Sequence, residues 1–558
     1  MKRLFVFAFP GVPGKRLFLL AFPVALGAQD LTATADRIFA QWNSTHTPGC
    51  AVGVSRNGVP ILTRGYGMAD LESGTPITAQ TILESGSVAK QFTATAILLL
   101  VGEGKLRLDD DVRKYVPELP QYGRTITIRH LVSHTSGLRE WSNLVADQGY
   151  PRGTRVTTQT DLLDIIVRQK ALNYPVGDFY SYTNSGFALL PTIVERVSGV
   201  PFAQFSNERI FKPAGMVDTR WRDDFTVVVP GRGQAYSRTA GGWRINMPFE
   251  NVHGPGGLLT TVGDWLRWNH ALDTRVFGAV SDSLLSRATL TSGRQIPYAM
   301  GMINGTYRGT PEWQHSGSTA GYSTFLARYP RAGLSIAVMC NAAGAAATSY
   351  VRQLADALIP DLAVPLAFDT VTADPGRLSR LTGLYRDERT SDISELFVER
   401  GQLRIRGGAV LRALRDGDFL MGAASRLRFL TSADGSPTGA RIAAPDGDTL
   451  AWAFMAAERW KPTEAQLQGL TGRWHQPEID ATWTAKIEKG ALVLELRPGT
   501  QFTLVPAYAD AFEGGSYGSI WFSRDKKGNA TQMHLGSGRV WKLSFQREAT
   551  ERQQRDNR

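Results

Sequence analysis

The stretch Gly86-Ser87-Val88-Ala89-Lys90-Gln91-Phe92-Thr93-Ala94 carries the strongest indication of what this chain is. It places a serine and a lysine three residues apart, and the apolar run that continues to Val101 predicts a buried helix. Side chains at this spacing share one helical face, so the lysine amine can reach the serine hydroxyl. A serine activated in this way is a nucleophile. A serine that only caps the helix is the alternative, and this motif alone leaves both interpretations open.

Length and charge restrict the classes of protein to consider. A chain of 558 residues is too long for one core, so two to four domains are expected. The net charge is +11, but the basic residues are dispersed, except in the polar tail after Arg547. No basic stripe is interleaved with aromatic residues, which argues against nucleic acid as a partner. The charge favours solubility or a mild attraction to anionic envelope polymers.

The N-terminus has the pattern of an export signal. Basic residues at 2–3 and 15–16 precede the short apolar run 17–25, and small residues follow at Gly27 and Ala28. This predicts a signal peptide over residues 1–28, with cleavage near Gly27 or Ala28. An N-terminal anchor is the alternative, although the run is short for a membrane span and contains Pro23. We therefore expect a periplasmic or secreted protein with no transmembrane segment in the mature chain.

Two cysteines, Cys50 and Cys340, lie in strand-like runs. Export permits a disulfide between them, and two buried free thiols are the alternative. The histidines show no metal-binding spacing, so no metal or organic cofactor is expected.

The first 360 residues predict one domain with sheet strands at both ends and helices between. A helix over 31–43 precedes a hairpin with strands 51–54 and 61–65, whose turn is the Asn57-Gly58 pair. Two more strands, 323–329 and 334–340, and a helix over 345–358 end the region. This order predicts an α/β (α+β) domain over 29–360, with an antiparallel sheet and a large helical insertion.

An internal repeat follows a linker at 361–376. Residues 378–385 match 467–474, and 398–403 match 487–492, both 89 positions later, as Trp452 matches Trp541. The repeat predicts two small antiparallel β-barrels over 377–459 and 460–547, before a polar tail at 548–558. The second copy carries four extra residues around 506–511. That insertion is either a recruited functional loop or neutral variation in length.

Three further motifs can be combined with Ser87 and Lys90. Tyr182 and Asn184 form Y-x-N, in which an ammonium near the tyrosine would lower its pKa and make it a general base. His315 and Gly317 form H-x-G, and the N–H groups of Ser318 and Ser87 could form an oxyanion hole. A fourth motif, G-x-S-x-G at 514–518, lies in the barrel region with no helix after it, so we interpret it as a turn.

The ordered set S-x-x-K, L-x-S-H-T-S-G-L (131–138), Y-x-N, G-G-L-x-T-T (256–261) and H-x-G resembles the serine β-lactamase and penicillin-binding-protein superfamily over residues 30–360. More narrowly, it resembles the class C β-lactamase, DD-peptidase and esterase branch. The resemblance implies a β-lactamase/transpeptidase-like fold that forms an acyl-enzyme. It implies that Ser87 is the nucleophile, Lys90 its activating partner and Tyr182 the general base and acid. Asn184 would support them, with His315 and Gly317 as the third motif. His134 lies in a segment predicted to be a helix and loop that shape the cleft, so we expect it to be a structural hydrogen-bonding residue and not a catalyst.

One departure from the family pattern bears on the substrate. Class C β-lactamases have K-T-G where this chain has His315-Ser316-Gly317, so a permanent ammonium is replaced by a largely neutral imidazole. The H-x-G pattern and two C-terminal barrels resemble D-aminopeptidases, in which a loop of the last barrel selects a free amine. Asp510 in the insertion would then bind a substrate ammonium.

The sequence therefore predicts an exported serine hydrolase acting on small peptides with D-residues or glycine, including linear fragments of cyclic peptides. An esterase or weak β-lactamase on the same site and a non-catalytic penicillin-binding or envelope receptor are the alternatives. The oligomeric state is not predicted.

Overall fold

The computed structural model describes residues 28–548, apart from Leu366 and Asp446. Residues 1–27, which hold nearly all of the expected signal peptide, and residues 549–558 of the expected polar tail lie outside the described part. The first helix begins at Ala28 and ends at Ile38, and a short 3₁₀ turn at Ala40–Trp42 completes the helix expected over 31–43. None of the described helices has the length and apolar character that crossing a membrane requires.

Residues 28–360 form one domain around a six-stranded antiparallel sheet. The strands of the whole domain, which also form four smaller sheets, are in chain order Cys50–Arg56 (β1), Val59–Tyr66 (β2), Met68–Asp70 (β3), Thr75–Pro76 (β4), Leu83–Glu84 (β5), Thr157–Thr158 (β6), Arg220–Trp221 (β7), Tyr236–Thr239 (β8), Gly242–Ile245 (β9), Glu250–Asn251 (β10), Leu258–Thr260 (β11), Ile303–Tyr307 (β12), Thr310–Thr319 (β13), Tyr322–Tyr329 (β14) and Leu334–Cys340 (β15).

The helices of this domain are Ala28–Ile38 (α1), Lys90–Gly102 (α2), Ile128–Val132 (α3), Trp141–Asp147 (α4), Gln159–Val167 (α5), Asn184–Ser198 (α6), Phe202–Ser206 (α7), Val262–Asp273 (α8), Ala279–Ser283 (α9) and Ala347–Leu358 (α10). The order in the large sheet is β12-β13-β14-β15-β1-β2. Helices α1 and α10 cover one face, and α8 covers the other, where the helical region packs. The predicted antiparallel sheet with a helical insertion is confirmed.

The hairpin and the cysteines follow from local sequence. Asn57 and Gly58 both have positive φ angles, 51° and 81°, which is the geometry of a type I′ turn and explains the Asn-Gly pair. Cys50 of β1 lies directly opposite Cys340 of β15, and the two form a disulfide. The pairing of β1 with β15 therefore brings the two cysteines together as a disulfide, and they are not two buried free thiols.

Two β-barrels follow, as the repeat predicts. Helix Pro375–Arg380 (α11) leads into an eight-stranded closed barrel, and helix Glu464–Gln468 (α12) leads into a nine-stranded sheet whose two end strands are neighbours in the chain. The strands are Gly383–Asp387 (β16), Ile393–Glu399 (β17), Gln402–Ile405 (β18), Val410–Ala413 (β19), Phe419–Met421 (β20), Ser425–Thr431 (β21), Pro437–Ala443 (β22), Thr449–Ala456 (β23), Gly472–Gln476 (β24), Ala481–Glu488 (β25), Ala491–Arg497 (β26), Thr500–Thr503 (β27), Val505–Pro506 (β28), Ala511–Glu513 (β29), Ser519–Arg524 (β30), Ala530–Ser537 (β31) and Val540–Arg547 (β32).

The duplication extends to the backbone. The turn after β17 has Arg400 and Gly401 at φ 51° and 72°, and the turn after β25 has Lys489 and Gly490 at 51° and 78°. Both pairs lie 89 positions apart, at the offset of the sequence repeat. Positive φ at two consecutive residues is the requirement of a tight hairpin, so each copy builds the same turn from the same positions.

The second barrel packs on the first domain, residues 28–360, through α4. Asp147 at the end of α4 is buried, and one of its carboxylate oxygens accepts a 2.9 Å hydrogen bond from Ser537 Oγ. Its backbone carbonyl accepts a 2.9 Å bond from Trp483 Nε1. Arg139 adds bonds of 2.8 Å to Glu478 Oε2 and to the carbonyl of Lys542. Because these groups are buried, the interface is held in one arrangement by specific pairs.

Replacing Asp147 by Asn is expected to make the protein less sensitive to alkaline pH. Burial raises the pKa of Asp147 to about 8, so the folded protein retains a proton that the unfolded chain loses near pH ~4. The unfolded state then binds fewer protons across that window, and the free energy of unfolding falls as pH rises, by up to ~1.4 kcal/mol per pH unit. The introduced amide would keep an acceptor for Ser537 and cannot ionise.

Thermal midpoints measured from pH 5 to 8.5 test this expectation. The advantage of Asp147→Asn over wild type should grow with pH, whereas the exposed control Asp164→Asn should follow wild type. Parallel curves for wild type and Asp147→Asn would show that this carboxyl does not carry the buried proton.

Candidate active site

Ser87 lies in a tight 3₁₀ turn, Gly86–Ala89, that directly precedes α2. The turn backs onto strand β13 so closely that neither contact position tolerates a side chain. A Cβ on Gly86 would lie 2.6 Å from the backbone nitrogen of Ser318, and one on Gly317 would lie 2.1 Å from the carbonyl oxygen of Ser85. The backbone of Ser318 therefore lies beside the serine, where the predicted second oxyanion donor has to be. His315 and Gly317 lie inside β13, a ten-residue strand.

Lys90, the first residue of α2, is completely buried and extends to Ser87. Its Nζ lies 3.1 Å from Ser87 Oγ, 2.8 Å from Asn184 Oδ1 and 2.8 Å from the carbonyl oxygen of Pro255. Burial lowers the pKa of Lys90 well below its ordinary value; the charge of Glu140 opposes this shift and that of Arg539 adds to it. A neutral amine has two N–H donors and one lone pair. Since Asn184 and Pro255 present only acceptors, they take both donors, and the lone pair is left for the Ser87 hydroxyl.

Asn184, the first residue of α6, is oriented by the buried carboxylate of Glu140. Glu140 Oε1 accepts a 3.0 Å bond from Asn184 Nδ2 and a 2.8 Å bond from Ser142 Oγ. Glu140 Oε2 accepts from the backbone N–H of Asn184 and from Thr183 Oγ1. Burial alone would raise the pKa of Glu140, but Arg539 and these hydrogen bonds hold it below its ordinary value. An ionised carboxylate only accepts, so the Asn184 amide must turn its oxygen toward Lys90.

Tyr182 lies beside Lys90, but its acidity differs from the expectation. Lys90 Nζ lies 4.9 Å from the centre of the Tyr182 ring. The buried hydroxyl makes no regular hydrogen bond within the described residues, although Ser87 lies close enough to lower its pKa slightly. Burial is the larger effect and raises the pKa of Tyr182 far above its ordinary value. The predicted lowering by an ammonium was therefore wrong, because the lysine shares the buried environment and is itself driven toward the neutral form.

His315 is buried, and both of its ring nitrogens are occupied. Nδ1 lies 2.6 Å from the carbonyl oxygen of Ser316, so Nδ1 carries the proton, and Nε2 lies 3.0 Å from the hydroxyl of Tyr298. Burial lowers the pKa of His315 to about 3, with the charge of Lys90 adding to the shift. The imidazole is thus neutral, as expected. The structure does not give it a free N–H or a charge to offer a substrate, because Ser316 and Tyr298 hold both nitrogens.

His134 supports the Y-x-N segment from behind, in the structural role that the sequence predicts. Its Nδ1 accepts a 3.3 Å bond from the backbone N–H of Thr183, and its ring centre lies 4.2 Å from that of Tyr182. Burial lowers its pKa well below the ordinary value, so the ring is neutral. Together with Tyr298 and Phe187 it forms an aromatic wall behind Tyr182.

Two cavities meet at Ser87. The larger, about 1000 Å³, is lined by Tyr182, Tyr298 and His315 and extends toward the start of α10. The smaller, about 410 Å³, lies between the catalytic domain and the second barrel and is lined by Asn184 and Ser318. Four residues of the second barrel reach the smaller cavity: Ser516, Tyr517, Ser537 and Arg539. A substrate can therefore extend from the serine in two directions.

The structure does not bring Asp510 to either cavity. Its carboxylate forms a two-point ion pair with Arg524, at 2.7 Å to Nε and 2.6 Å to Nη2. The insertion around Asp510 is bound by the connection between the barrels, where Arg459 Nη1 and the Trp460 N–H donate to the carbonyls of Pro506 and Ala507. These bonds hold the loop against the connection between the barrels. The prediction that Asp510 binds a substrate ammonium was therefore wrong, because its carboxylate is paired with Arg524 within the barrel.

Sequence reasoning missed four groups that complete the site. Glu140, Tyr298 and Arg539 carry no recognisable pattern around them, and Pro255 acts through a backbone carbonyl, which the residue type does not reveal. The G-x-S-x-G turn is a turn, as expected, but its Ser516 and Tyr517 form part of the wall of the smaller cavity. Among the described residues, no group of three or more His, Cys, Asp or Glu is placed to hold a metal ion.

Comparison with known proteins agrees with this architecture. Residues 34–359 match the family model described as Beta-lactamase. Penicillin-binding protein 4* of Bacillus subtilis (strain 168) is 28% identical over 312 residues, covering 52% of this chain and 68% of that protein. A D-aminopeptidase of Brucella anthropi is 25% identical over 513 residues, covering 88% of this chain and 93% of its own length.

Among solved structures, the octameric penicillin-binding protein homologue from Pyrococcus abyssi covers 93% of this chain and all of its own. The TM-score is 0.53 at 19% identity, so this likeness supports the fold alone.

Replacing Glu140 by Gln is expected to slow the reaction of Ser87 with a fluorophosphonate probe by about 10- to 100-fold, which reaches only the lower end of the ~10²–10⁴-fold that general acid–base catalysis typically contributes. Each carboxylate oxygen of Glu140 accepts hydrogen bonds from two donors, whereas the amide nitrogen of glutamine accepts none. The variant therefore loses the bonds to one oxygen, and Asn184 and Lys90 are no longer held in position. The labelling rate, followed across pH, measures this effect. A misoriented Asn184 changes the surroundings of the Lys90 amine and so the pH dependence of labelling.

The exposed Glu72→Gln variant is the matched control and should label at the wild-type rate. An unchanged rate and pH profile in a folded Glu140→Gln protein would show that Glu140 does not position the site.

Proposed function

The chain belongs to the Beta-lactamase family and is a serine hydrolase, and we propose that it is an exported peptidase that cleaves small peptides through an acyl-enzyme on Ser87. The single observation that carries the proposal is the contact of Lys90 Nζ with Ser87 Oγ, with both other neighbours of the amine being acceptors. Burial lowers the pKa of the Lys90 amine, so the amine can accept the hydroxyl proton of Ser87. The serine is thereby activated as a nucleophile.

Acylation begins when Lys90 takes the Ser87 proton. Ser87 Oγ then forms a bond to the substrate carbonyl carbon, and the negative charge collects on the carbonyl oxygen. The N–H groups of Ser87 and Ser318 are the donors for that oxygen, and one such donor is typically worth about 10²–10³ in rate. The rigid contact of Gly86 with Ser318 supports this role, since it keeps the two donors side by side.

Collapse of the intermediate breaks the bond to the leaving amine, which must receive a proton. Tyr182 is the donor that we propose, because its raised pKa keeps it protonated and its hydroxyl is not committed to another group in the described site. The proton that Lys90 gained then returns to Tyr182. In deacylation water attacks the acyl carbon and gives a proton to Lys90. The bond between the acyl carbon and Ser87 Oγ then breaks, Lys90 returns that proton to Ser87 Oγ, and the acid is released.

The substrate class rests on the relatives and on the third motif. Relatives of this chain include D-aminopeptidases, one of them aligned over 88% of the chain, which supports small peptides with a D-residue or glycine at the cleaved bond. Linear fragments of cyclic peptides with D-residues belong to the same class. His315 offers neither a charge nor a free N–H, which argues against efficient hydrolysis of β-lactams. The site supports no particular role for Asp510 in selecting a free amine.

Export is the setting that we propose for this activity. The signal-like residues 1–28 favour a periplasmic or secreted protein, and the disulfide between Cys50 and Cys340 is a bond that persists in oxidising compartments.

Replacing Ser87 by Ala is expected to abolish hydrolysis while leaving the fold intact, because it removes only an oxygen at a partly exposed position. Release of p-nitroaniline from alanine anilides measures turnover, and intact-protein mass spectrometry detects the acyl-enzyme. Wild type should turn over and show an acyl adduct that Ser87→Ala lacks. A stable adduct without turnover would instead support the receptor alternative. Full hydrolysis by Ser87→Ala would contradict a mechanism in which Ser87 is the nucleophile.

A stereochemical comparison tests the substrate class. We expect kcat/KM for D-alanine and glycine anilides to exceed that for L-alanine anilide by at least about tenfold, a difference of ~1.4 kcal/mol in transition-state binding. Nitrocefin and a short-chain p-nitrophenyl ester run under the same conditions separate the β-lactamase and esterase alternatives. A preference for the ester with no anilide turnover would favour the esterase.

A further inference from the structure

Arg539 is the charged group of the second barrel that reaches the catalytic centre. It lies in the turn between β31 and β32, and its guanidinium carbon is 5.9 Å from the centre of the Tyr182 ring. Its side chain is 36% exposed and lines the smaller cavity together with Ser87 and Asn184. The site is therefore shared between two domains, and Ser87 and Arg539 lie 452 positions apart in the sequence.

The turn that carries Arg539 is held firmly. The Arg539 carbonyl accepts a 2.9 Å bond from Asn173 Nδ2, and the neighbouring Trp541 N–H donates to Asn173 Oδ1 at 3.0 Å. On the other side, Ser537 is bonded to Asp147. These contacts fix the base of the side chain to the catalytic domain, so the guanidinium enters the cavity from a rigid support.

The guanidinium keeps its hydrogen-bonding capacity. Its only close partner in the described residues is Glu140, with Nη1 at 3.4 Å from Oε2, and no regular hydrogen bond joins them. Glu140 already accepts four hydrogen bonds from Thr183, Asn184 and Ser142. The fork of N–H donors on Arg539 is thus open to a ligand, and a planar fork of this kind matches a carboxylate with two parallel bonds.

The other charges around the smaller cavity are paired. Arg152 binds Glu250 and Thr319, and Arg155 lies 3.8 Å from Asp161. The remaining acid on the wall, Asp147, stays protonated at neutral pH because burial raises its pKa to about 8. Arg539 is itself paired with Glu140, but Glu140 is fully buried and does not line the cavity, so the charge presented to a ligand there is the guanidinium, which favours an anion over an ammonium.

The position of Tyr182 indicates which half of the substrate enters this cavity. Tyr182, the proposed proton donor to the leaving amine, lines the larger cavity, and Asn184 lines the smaller one. The leaving amine consequently belongs in the larger cavity, and the acyl half of the substrate extends into the smaller cavity toward Arg539.

We propose that the smaller cavity is a subsite for an anionic acyl group, in which Arg539 binds a carboxylate on the N-terminal side of the cleaved bond. This inference rests on the proposed acyl-enzyme function and specifies its substrate class: peptides whose acyl-side residue is capped by, or follows, an acidic group. It reverses the charge preference that the sequence suggested through Asp510.

Three matched p-nitroanilides test the subsite: D-alanine with a free amine, N-acetyl-D-alanine and N-succinyl-D-alanine. Wild type should prefer them in the order succinyl, acetyl, free amine, with about a tenfold difference in kcat/KM between succinyl and acetyl. Arg539→Gln should bring the succinyl-to-acetyl ratio of kcat/KM to about one, and this ratio cancels any common effect of the variant on Glu140 and Lys90. Arg539→Glu should reverse the order, and Arg473→Gln, an exposed arginine of the same barrel, should behave as wild type.

An equal loss on all three substrates in Arg539→Gln would mean that Arg539 only supports Glu140, which would overturn the subsite. A wild-type preference for the free amine would overturn it as well.

A binding measurement separates this inference from the proposed function. Calorimetry on Ser87→Ala with N-succinyl-D-alanine and N-acetyl-D-alanine needs no turnover, so it applies even if no anilide is cleaved. Tighter binding of the succinyl compound, lost in the Ser87→Ala, Arg539→Gln double variant, would support the subsite by itself. Equal binding of both compounds to Ser87→Ala would overturn it, whatever the catalytic result.

Discussion

The burial of the Lys90 amine is the constraint on which the rest of the site depends. An ammonium taken out of water loses its hydration, so its pKa falls unless the protein supplies compensating charge. Here the protein supplies two neutral acceptors, Asn184 Oδ1 and the Pro255 carbonyl, and a carboxylate, Glu140, that reaches the lysine only through Asn184. That arrangement holds the amine in place but does not compensate the desolvation of an ammonium. The lone pair of the neutral Lys90 amine then points to the Ser87 hydroxyl.

The second barrel takes part in the same electrostatic balance. Glu140 is buried beside Lys90 and would favour the ammonium, but Arg539 from the barrel lies within 3.4 Å of that carboxylate and offsets its charge. The segment from Arg139 to Asp147 carries both the catalytic support and the main bonds to the barrel. The barrel therefore contributes to the chemistry of the site through its docking as well as through the residues it places in the smaller cavity.

The order of Ser87, Lys90, Tyr182 and Asn184 was predictable because helix geometry and short motifs determine their local placement. The hairpin at Asn57-Gly58 and the duplicated barrels were predictable for the same reason, since turns and repeats are visible within a few residues. The position of Asp510 could not be predicted, because its ion pair with Arg524 depends on how β29 and β30 pair in the folded barrel. Glu140 and Arg539 come together only when two domains dock. The pKa of Tyr182 was misjudged because burial acts on the tyrosine and on its lysine neighbour alike.

Nitrogen-15 NMR of lysine side chains tests the central claim most directly, because it reports the charge of the Lys90 amine itself. The Lys90 Nζ signal is assigned by its absence in Lys90→Arg, and it is followed from pH 5 to 11 in the intact chain. We expect the Lys90 amine to lose its proton at a pH well below the ordinary lysine value of about 10.4. A Lys90 ammonium that persists to about pH 10 would contradict it, because no lone pair would then be available to Ser87.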